Sequence, residues 1–461
     1  MIKRIFGYLP GVAIPMMINF ILTTLYATSL APGEYGILNI YLNSIQIVFA
    51  LTLSVFQNSS LRLYSTNDVL NEKQYVTTYI AAILMSSCII AMATFALSFV
   101  IEFNWEIVLM SITINGGFQF ICNYYRVTRQ SAKYNTIKCA SAILSLVILV
   151  SAKFFLSSIS YIWPIIAIYG SYALISLLGI YDLRSQISIR FFSKDLVIKS
   201  IKYGIPLIGV SVLGYIIASC DQYFLLYFLG EEAVGNYALG HRLVDAIITN
   251  LLMMILLVMT PELNNAFDQD GFKASSELLT KMISAACWII LPISFAIIVY
   301  SKFIVLFFFS EYDSADHIMQ LVVFASMFHG ISMFTCKGLE LSRRTEHIFT
   351  GLLFATIINC LYNLFFIPVY GIDASAHSSL LAYLFYNIYL VFRSRRYFKI
   401  NFDYYYILKA VCITCITVLV AYCLMYFLPI NSAVEFIIHI MISAVVYLGL
   451  SGVFGLYKPF S

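Results

Sequence analysis

Fourteen apolar stretches follow one another along the 461 residues, each about as long as one bilayer-crossing α-helix, with only short turns between them. They fall at 9–31, 37–58, 75–101, 107–125, 139–157, 161–181, 203–228, 236–261, 282–308, 317–339, 347–369, 374–392, 407–428 and 434–456. In hydrocarbon every backbone N–H and C=O must find its partner inside the protein, so such a succession folds as helices. Composition agrees, with 61% hydrophobic and 11% charged residues. No segment between the stretches is polar or long enough to fold as a soluble module. The expected fold class is an all-α polytopic membrane protein of about fourteen transmembrane helices.

Lys and Arg set the orientation. With Lys3 and Arg4 in the cytoplasm and sides alternating, all of the 27 Lys and Arg except Lys153, Arg242 and Lys302 fall in cytoplasmic loops or span ends. External loops carry Glu34, Glu102, Glu106, Glu231, Glu232, Glu311, Asp313, Asp316 and Asp373. Both termini are therefore expected in the cytoplasm, and the net charge of +4 reflects topology rather than a nucleic-acid partner. Ser29-Leu30-Ala31 has the form of a signal-peptidase site, but the run before it is longer than a signal core and reads as a retained first span. Asn58-Ser59-Ser60 matches a glycosylation acceptor on the wrong side of the membrane. The ten Cys lie scattered in apolar spans, and Cys412 and Cys415 have no ligand-like company, so no metal and no cofactor are expected.

The chain repeats itself. Phe6-Gly7-Tyr8-Leu9-Pro10 enters span 1, and Lys202-Tyr203-Gly204-Ile205-Pro206 enters span 7. Glu34-Tyr35-Gly36 precedes span 2, and Ala233-Val234-Gly235 precedes span 8. Aligning Gly36 with Gly235 sets Asn43 opposite Arg242 and Gln46 opposite Asp245. The expected organisation is an N-terminal lobe at 1–189, a basic amphipathic cytoplasmic linker at 190–202, a C-terminal lobe at 203–400 and an extra helix pair at 401–461. Paired six-helix lobes are the architecture of alternating-access transporters, with substrate held between them near the bilayer midplane.

Pro32-Gly33-Glu34-Tyr35-Gly36, its echo Gly235-Asn236-Tyr237, and Ile367-Pro368-Val369-Tyr370-Gly371-Ile372-Asp373-Ala374 resemble hallmarks of bacterial polysaccharide exporters. The family is that of Wzx-type lipid-linked oligosaccharide flippases in the MOP superfamily, related to lipid II flippases and MATE multidrug exporters. The resemblance runs over essentially the whole chain. It implies a flippase of the bacterial inner membrane that serves O-antigen or capsule synthesis and moves a glycan on undecaprenyl diphosphate to the periplasmic leaflet. It further implies a monomeric transport unit and an association with the polysaccharide polymerase and chain-length regulator. In the lipid II flippases an extra helix pair grooves the lipid tail, and the resemblance implies the same for 401–461, where Tyr404, Tyr405 and Tyr406 read as an interfacial belt. Those flippases carry cations in the first two spans. Here stand Asn19, Asn39, Asn43 and Gln46, with Arg62 only at the cytoplasmic end of span 2, which argues against a peptidoglycan precursor as cargo.

Such cargo needs a hydrated, hydrogen-bonding path for sugar and a cation for diphosphate. Ser111, Asn115, Gln119 and Asn123 recur every four residues on one face of span 4, and Asn39, Asn43 and Gln46 line span 2. The alternative role for each amide is bonding between helices. A charge at membrane depth costs about 2.5–3.5 kcal/mol on insertion scales, so Asp221, Arg242 and Asp245 are functional candidates. Arg242 is the candidate diphosphate ligand, with Asp245 one turn deeper on its face and Asp221 at comparable depth for H+ or Na+ coupling. The three are expected as one cluster, with a static ion pair as the alternative. Lys153 and Arg62 are further cavity candidates, each with an interfacial alternative. His241 is expected to point away, and His329, Asn359 and Asn363 to be structural. No extramembrane nucleophile, phosphate loop or carboxylate pair points to an enzyme. The rival function is a MATE-like cation-coupled exporter of small amphiphiles, which Asp221 and Asp245 would also suit.

Overall fold

The structure, a computed structural model, describes residues 10–64, 72–98, 104–156 and 158–456; the side chains of Arg62, of residues 93–98 and of Pro206 and Leu207 lie outside that set. The expectations on Lys3, Arg4, Phe6-Gly7-Tyr8-Leu9, Glu102 and Lys458 fall outside it as well. Fifteen α-helices and two 3-10 turns make up the regular structure, with no strand among the described residues. By contact the chain divides into two compact units, Met1–Ser219 and Cys220–Ser461.

The first unit holds α1 (Pro10–Ala27), α2 (Pro32–Thr52), α3 (Ser54–Leu63), α4 (Glu72–Ser98), α5 (Trp105–Val127), α6 (Ser131–Phe155), α7 (Ile162–Asp182) and the first part of α8 (Lys194–Leu229). Pro32 opens α2 at a position where its missing N–H costs nothing. The predicted second span is two helices, because the chain turns at Leu53 between α2 and α3. Aromatic packing holds the interior: Phe118 on α5 stacks on Tyr172 of α7 with ring centroids 4.1 Å apart, and Tyr75, Tyr79 and Phe120 cluster between α4 and α5. The segment expected as a linker begins with a 3-10 turn at Ile189–Phe191 and then becomes the start of α8. It is tied to α4: Ser188 N donates to Thr77 Oγ1 (3.0 Å), Ser193 N to Thr78 Oγ1 (3.1 Å), and the Tyr79 and Ser200 hydroxyls bond at 2.9 Å.

The second unit continues from Cys220 in α8 through α9 (Glu231–Phe308), α10 (Ala315–Thr335), α11 (Lys337–Leu341), α12 (Thr345–Tyr370), α13 (Ile372–Ser394), α14 (Tyr404–Phe427) and α15 (Ala433–Val453). Spans 8 and 9 were expected as separate helices, and α9 is two helices that extend into the polar stretch 262–281 and meet at a kink at Gly271. Its 78 residues are far more than one crossing needs, and the backbone leaves helical geometry at Gly271 with φ 76°. That left-handed backbone is open to Gly at little cost. Twelve helices among the described residues are long and apolar enough to cross a membrane. With α9 crossing twice and the more polar, 23-residue α13 crossing once, fourteen crossings result. The chain is a multi-pass membrane protein.

Within this unit α13 packs between α10 and α12, and α14 and α15 dock on the second half of α9. Tyr300, Ala421, Ile430 and Phe436 form the apolar seam of that docking. Trp288 Nε1 donates to Ser451 Oγ (3.1 Å), and Tyr447 OH donates to the Trp288 carbonyl (2.8 Å). A capping box between Ser432 and Glu435 starts α15.

Candidate functional site

A continuous buried polar network crosses the second unit, assembled by α8, α9, α12 and α13. Asp221, 1% exposed, stands at its centre. Its Oδ2 accepts hydrogen bonds from the hydroxyls of Tyr237 on α9 and of Ser379 on α13, the latter at 2.9 Å. Oδ1 has no hydrogen-bond partner among the described residues. From Ser379 the network passes to Asn359, whose Nδ2 donates to Ser378 Oγ (3.1 Å) and reaches Ser379 Oγ at 3.4 Å. Asn363 Nδ2 donates to Asn359 Oδ1 (3.3 Å), and Ser378 Oγ donates to Asn363 Oδ1 (3.1 Å). The Cys220 thiol also donates to Asn359 Oδ1, at 2.7 Å. Polar groups held out of water must be paired, because each unpaired one costs roughly 1–3 kcal/mol. Here nearly all are; the exceptions are Asp221 Oδ1 and, on the same serine stripe of α13, Ser375 Oγ.

A second group surrounds Asp245 on α9. Ser326 Oγ of α10 and Thr249 Oγ1 donate to its Oδ1 at 2.6 and 3.1 Å. His241 Nδ1 lies 3.6 Å from Oδ2, one helical turn back on the same helix. His241 therefore faces Asp245 instead of pointing away. His329 of α10 also acts electrostatically on Asp245, and its ring stacks on Tyr383 of α13 at 4.6 Å. The two carboxylates have different hydrogen-bond partners. Between them stand Tyr237, which donates to Asp221, and His241, which faces Asp245, with ring centroids 5.7 Å apart. Arg242 follows His241 on α9 and is half-buried.

In the first unit, Asn43 and Gln46 on α2 and Gln119 on α5 are half-buried, whereas Asn115 is buried. Asn123 is occupied in helix packing: its Nδ2 donates to Gln57 O (3.2 Å) and Ser60 Oγ (3.3 Å), both on α3. Asn39 donates to Tyr35 O (2.7 Å) within α2. Lys153 is exposed at the end of α6, where its Nζ donates to Ser29 Oγ (3.0 Å). The side chain of Arg62 lies outside the described set. Sequence reasoning missed Tyr237, Ser379 and His241 as partners of the carboxylates. The usable signal was spacing: Ser375, Ser378 and Ser379 form one polar stripe on α13, opposite the Asn359 and Asn363 pair on α12.

The profile of the family described as "Polysaccharide biosynthesis protein" matches residues 2–267, more than half of the chain. No curated protein matches in sequence. Among solved structures, the chain is similar to the lipid II flippase MurJ in its inward closed conformation, with a TM-score of 0.76 and 15% identity over 98% of each chain. It is also similar to the inward-facing conformation of a multidrug resistance MATE family transporter of the MOP superfamily, with a TM-score of 0.60 and 13% identity over 84% of this chain and 98% of that one. For an outward-facing conformation of such a transporter the TM-score is 0.58, with 13% identity over 86% and 95%. The fold is one shared with membrane transporters and flippases.

Proposed function

The chain belongs to the polysaccharide biosynthesis protein family, and from that premise we propose that it flips an undecaprenyl-diphosphate-linked oligosaccharide from the cytoplasmic to the periplasmic leaflet of the bacterial inner membrane. It works by alternating access between two lobes, 1–189 and 203–400, and supplies O-antigen or capsule assembly. The observation that carries this reading is the extent of the likeness. It covers 98% of the chain against a lipid II flippase and 84–86% against the two MATE transporters. Residues 401–461, which hold α14 and α15, are the surface proposed for the lipid tail. A lipid-borne cargo needs a surface for its tail, and a small amphiphile does not.

Each element of the cargo has a residue type to meet it. Arg242 binds diphosphate, and the amides Asn43, Gln46, Asn115 and Gln119 meet sugar hydroxyls, while Asn123 stays in helix packing against Gln57 and Ser60. Lys153 and Arg62 guide the anionic head at the two ends of the path. Asp221 takes the coupling ion. Its open oxygen, on a carboxylate whose other oxygen already accepts from Tyr237 and Ser379, suits a proton or a hard cation such as Na+. Asp245 with His241 and His329 relays the state of that site along α9. The transport unit is a monomer, with both termini in the cytoplasm, that hands its product to the polymerase and chain-length regulator.

A strain without the gene tests the reading. Intact lipid-linked oligosaccharide should accumulate in the inner membrane, inaccessible from the periplasm. Normal surface glycan together with altered tolerance to cationic dyes would replace the flippase by a small-amphiphile exporter.

A further inference from the structure

At one end of the C-terminal helix pair, the start of α14, the end of α15 and the middle of α9 enclose a cavity of about 450 Å³. That volume lies within the range of small-molecule sites. Its walls divide by chemistry. Val453, Phe454 and Leu456 form an apolar side, and Lys281, Lys409 and Tyr405 form the other. The Lys409 ammonium rests 4.4 Å from the centre of the Tyr405 ring, a contact that fixes its position at the rim. Three other polar residues of the lining are already engaged. Thr280 Oγ1 donates to backbone carbonyls, including Asn401 O at 3.0 Å, and Tyr406 OH donates to Leu456 O at 2.6 Å. Asp403 Oδ1 accepts from Tyr406 N at 3.0 Å as the cap of α14. The cationic donors of the cavity are therefore two ammonium groups set against one capped carboxylate.

The surroundings state where the ligand comes from. Tyr405, Val453 and Phe454 of the lining are 70%, 81% and 50% exposed, so the cavity is continuous with the exposed apolar surface of the helix pair. A free anion would meet two lysines in water, whereas a lipid brings its phosphate to the lysines and its chains to that surface. We infer that this cavity is a lipid-phosphate site: Lys281 and Lys409 bind the phosphate of an anionic lipid whose chains lie along α14 and α15. A juxtamembrane lysine strengthens anionic-lipid binding about fivefold, so the pair supplies roughly twentyfold or more. The assignment is independent of the transport reading, because its ligand can be either a bilayer phospholipid or a polyprenyl diphosphate.

The test is lipid retention by the purified full chain in detergent, measured by native mass spectrometry after adding phosphatidylglycerol, phosphatidylcholine or undecaprenyl diphosphate. The expected result is preferential retention of an anionic lipid by the wild type and a loss of at least tenfold in the Lys281→Gln/Lys409→Gln variant. Lys302→Gln, a lysine outside the cavity, should leave retention unchanged. Retention of phosphatidylglycerol identifies the bilayer as the source, and retention of undecaprenyl diphosphate alone identifies the polyprenyl carrier. Equal retention by wild type and double variant, or no preference over phosphatidylcholine, overturns the site. Should the double variant not accumulate, the single variants carry the same test with about a fivefold loss each.

Discussion

Asp221 has two hydroxyl donors on one carboxylate oxygen and none on the other, among amides and hydroxyls that are paired apart from Ser375 Oγ. A buried group built this way changes its partner when a proton or cation arrives, which a closed ion pair does not. Asp221→Asn keeps the shape and still accepts from Tyr237 and Ser379. The variant should accumulate and melt within about 1–2 kcal/mol of wild type, while surface polysaccharide falls at least tenfold. Normal polysaccharide at normal protein level would remove Asp221 from coupling. Arg242→Ala and Asp245→Asn should likewise abolish export while the protein still inserts, as read by glycan blots beside membrane protein levels. The charged residues were legible in the sequence because ionisable groups stand out in apolar spans. Their partners were not, since a Ser or Tyr in a span is ordinary. His241 was misjudged for a geometric reason. Positions three and four back from Asp245 both lie on its helical face, so Arg242 did not exclude His241.

α9 carries Tyr237, His241, Arg242, Asp245 and, beyond its bend, the docking surface for α14 and α15. Its register against α10 is set by close backbone approach at Gly240, where a Cβ would lie 3.0 Å from the Ala315 carbonyl and 2.9 Å from Ile318 Cγ2. Gly240→Val should push α10 outward and lengthen the bond from Ser326 to Asp245. The expected cost is about 1–3 kcal/mol, read as a lower Tm in detergent, with transport reduced alongside. An unchanged Tm would show that α10 adapts freely. The apolar windows found the two helices that meet at Gly271 in α9 as separate spans. They marked both spans but lost the stretch between them, because 262–281 is polar and hydropathy sees lipid contact, not helicity. Leu53 was invisible for the opposite reason: the apolar run continues where the helix does not.

Fourteen crossings and their order could be read from 461 residues because the bilayer forces helices and spaces them. The family could be read from three short motifs. What moves inside the protein could not, since sugar, phosphate and ion all recognise amides, hydroxyls and charges that also pack helices. The account therefore rests on directional movement of a lipid-linked head group, and the most direct measurement is made on the purified protein in liposomes. Undecaprenyl-diphosphate oligosaccharide is incorporated in both leaflets, and the fraction open to an external glycan-cleaving enzyme is followed with and without an H+ or Na+ gradient. The account predicts that wild-type protein makes the protected pool accessible, faster under one of the gradients, while Asp221→Asn protein behaves like empty liposomes. A protected pool that stays protected with wild-type protein, under either gradient, would contradict it.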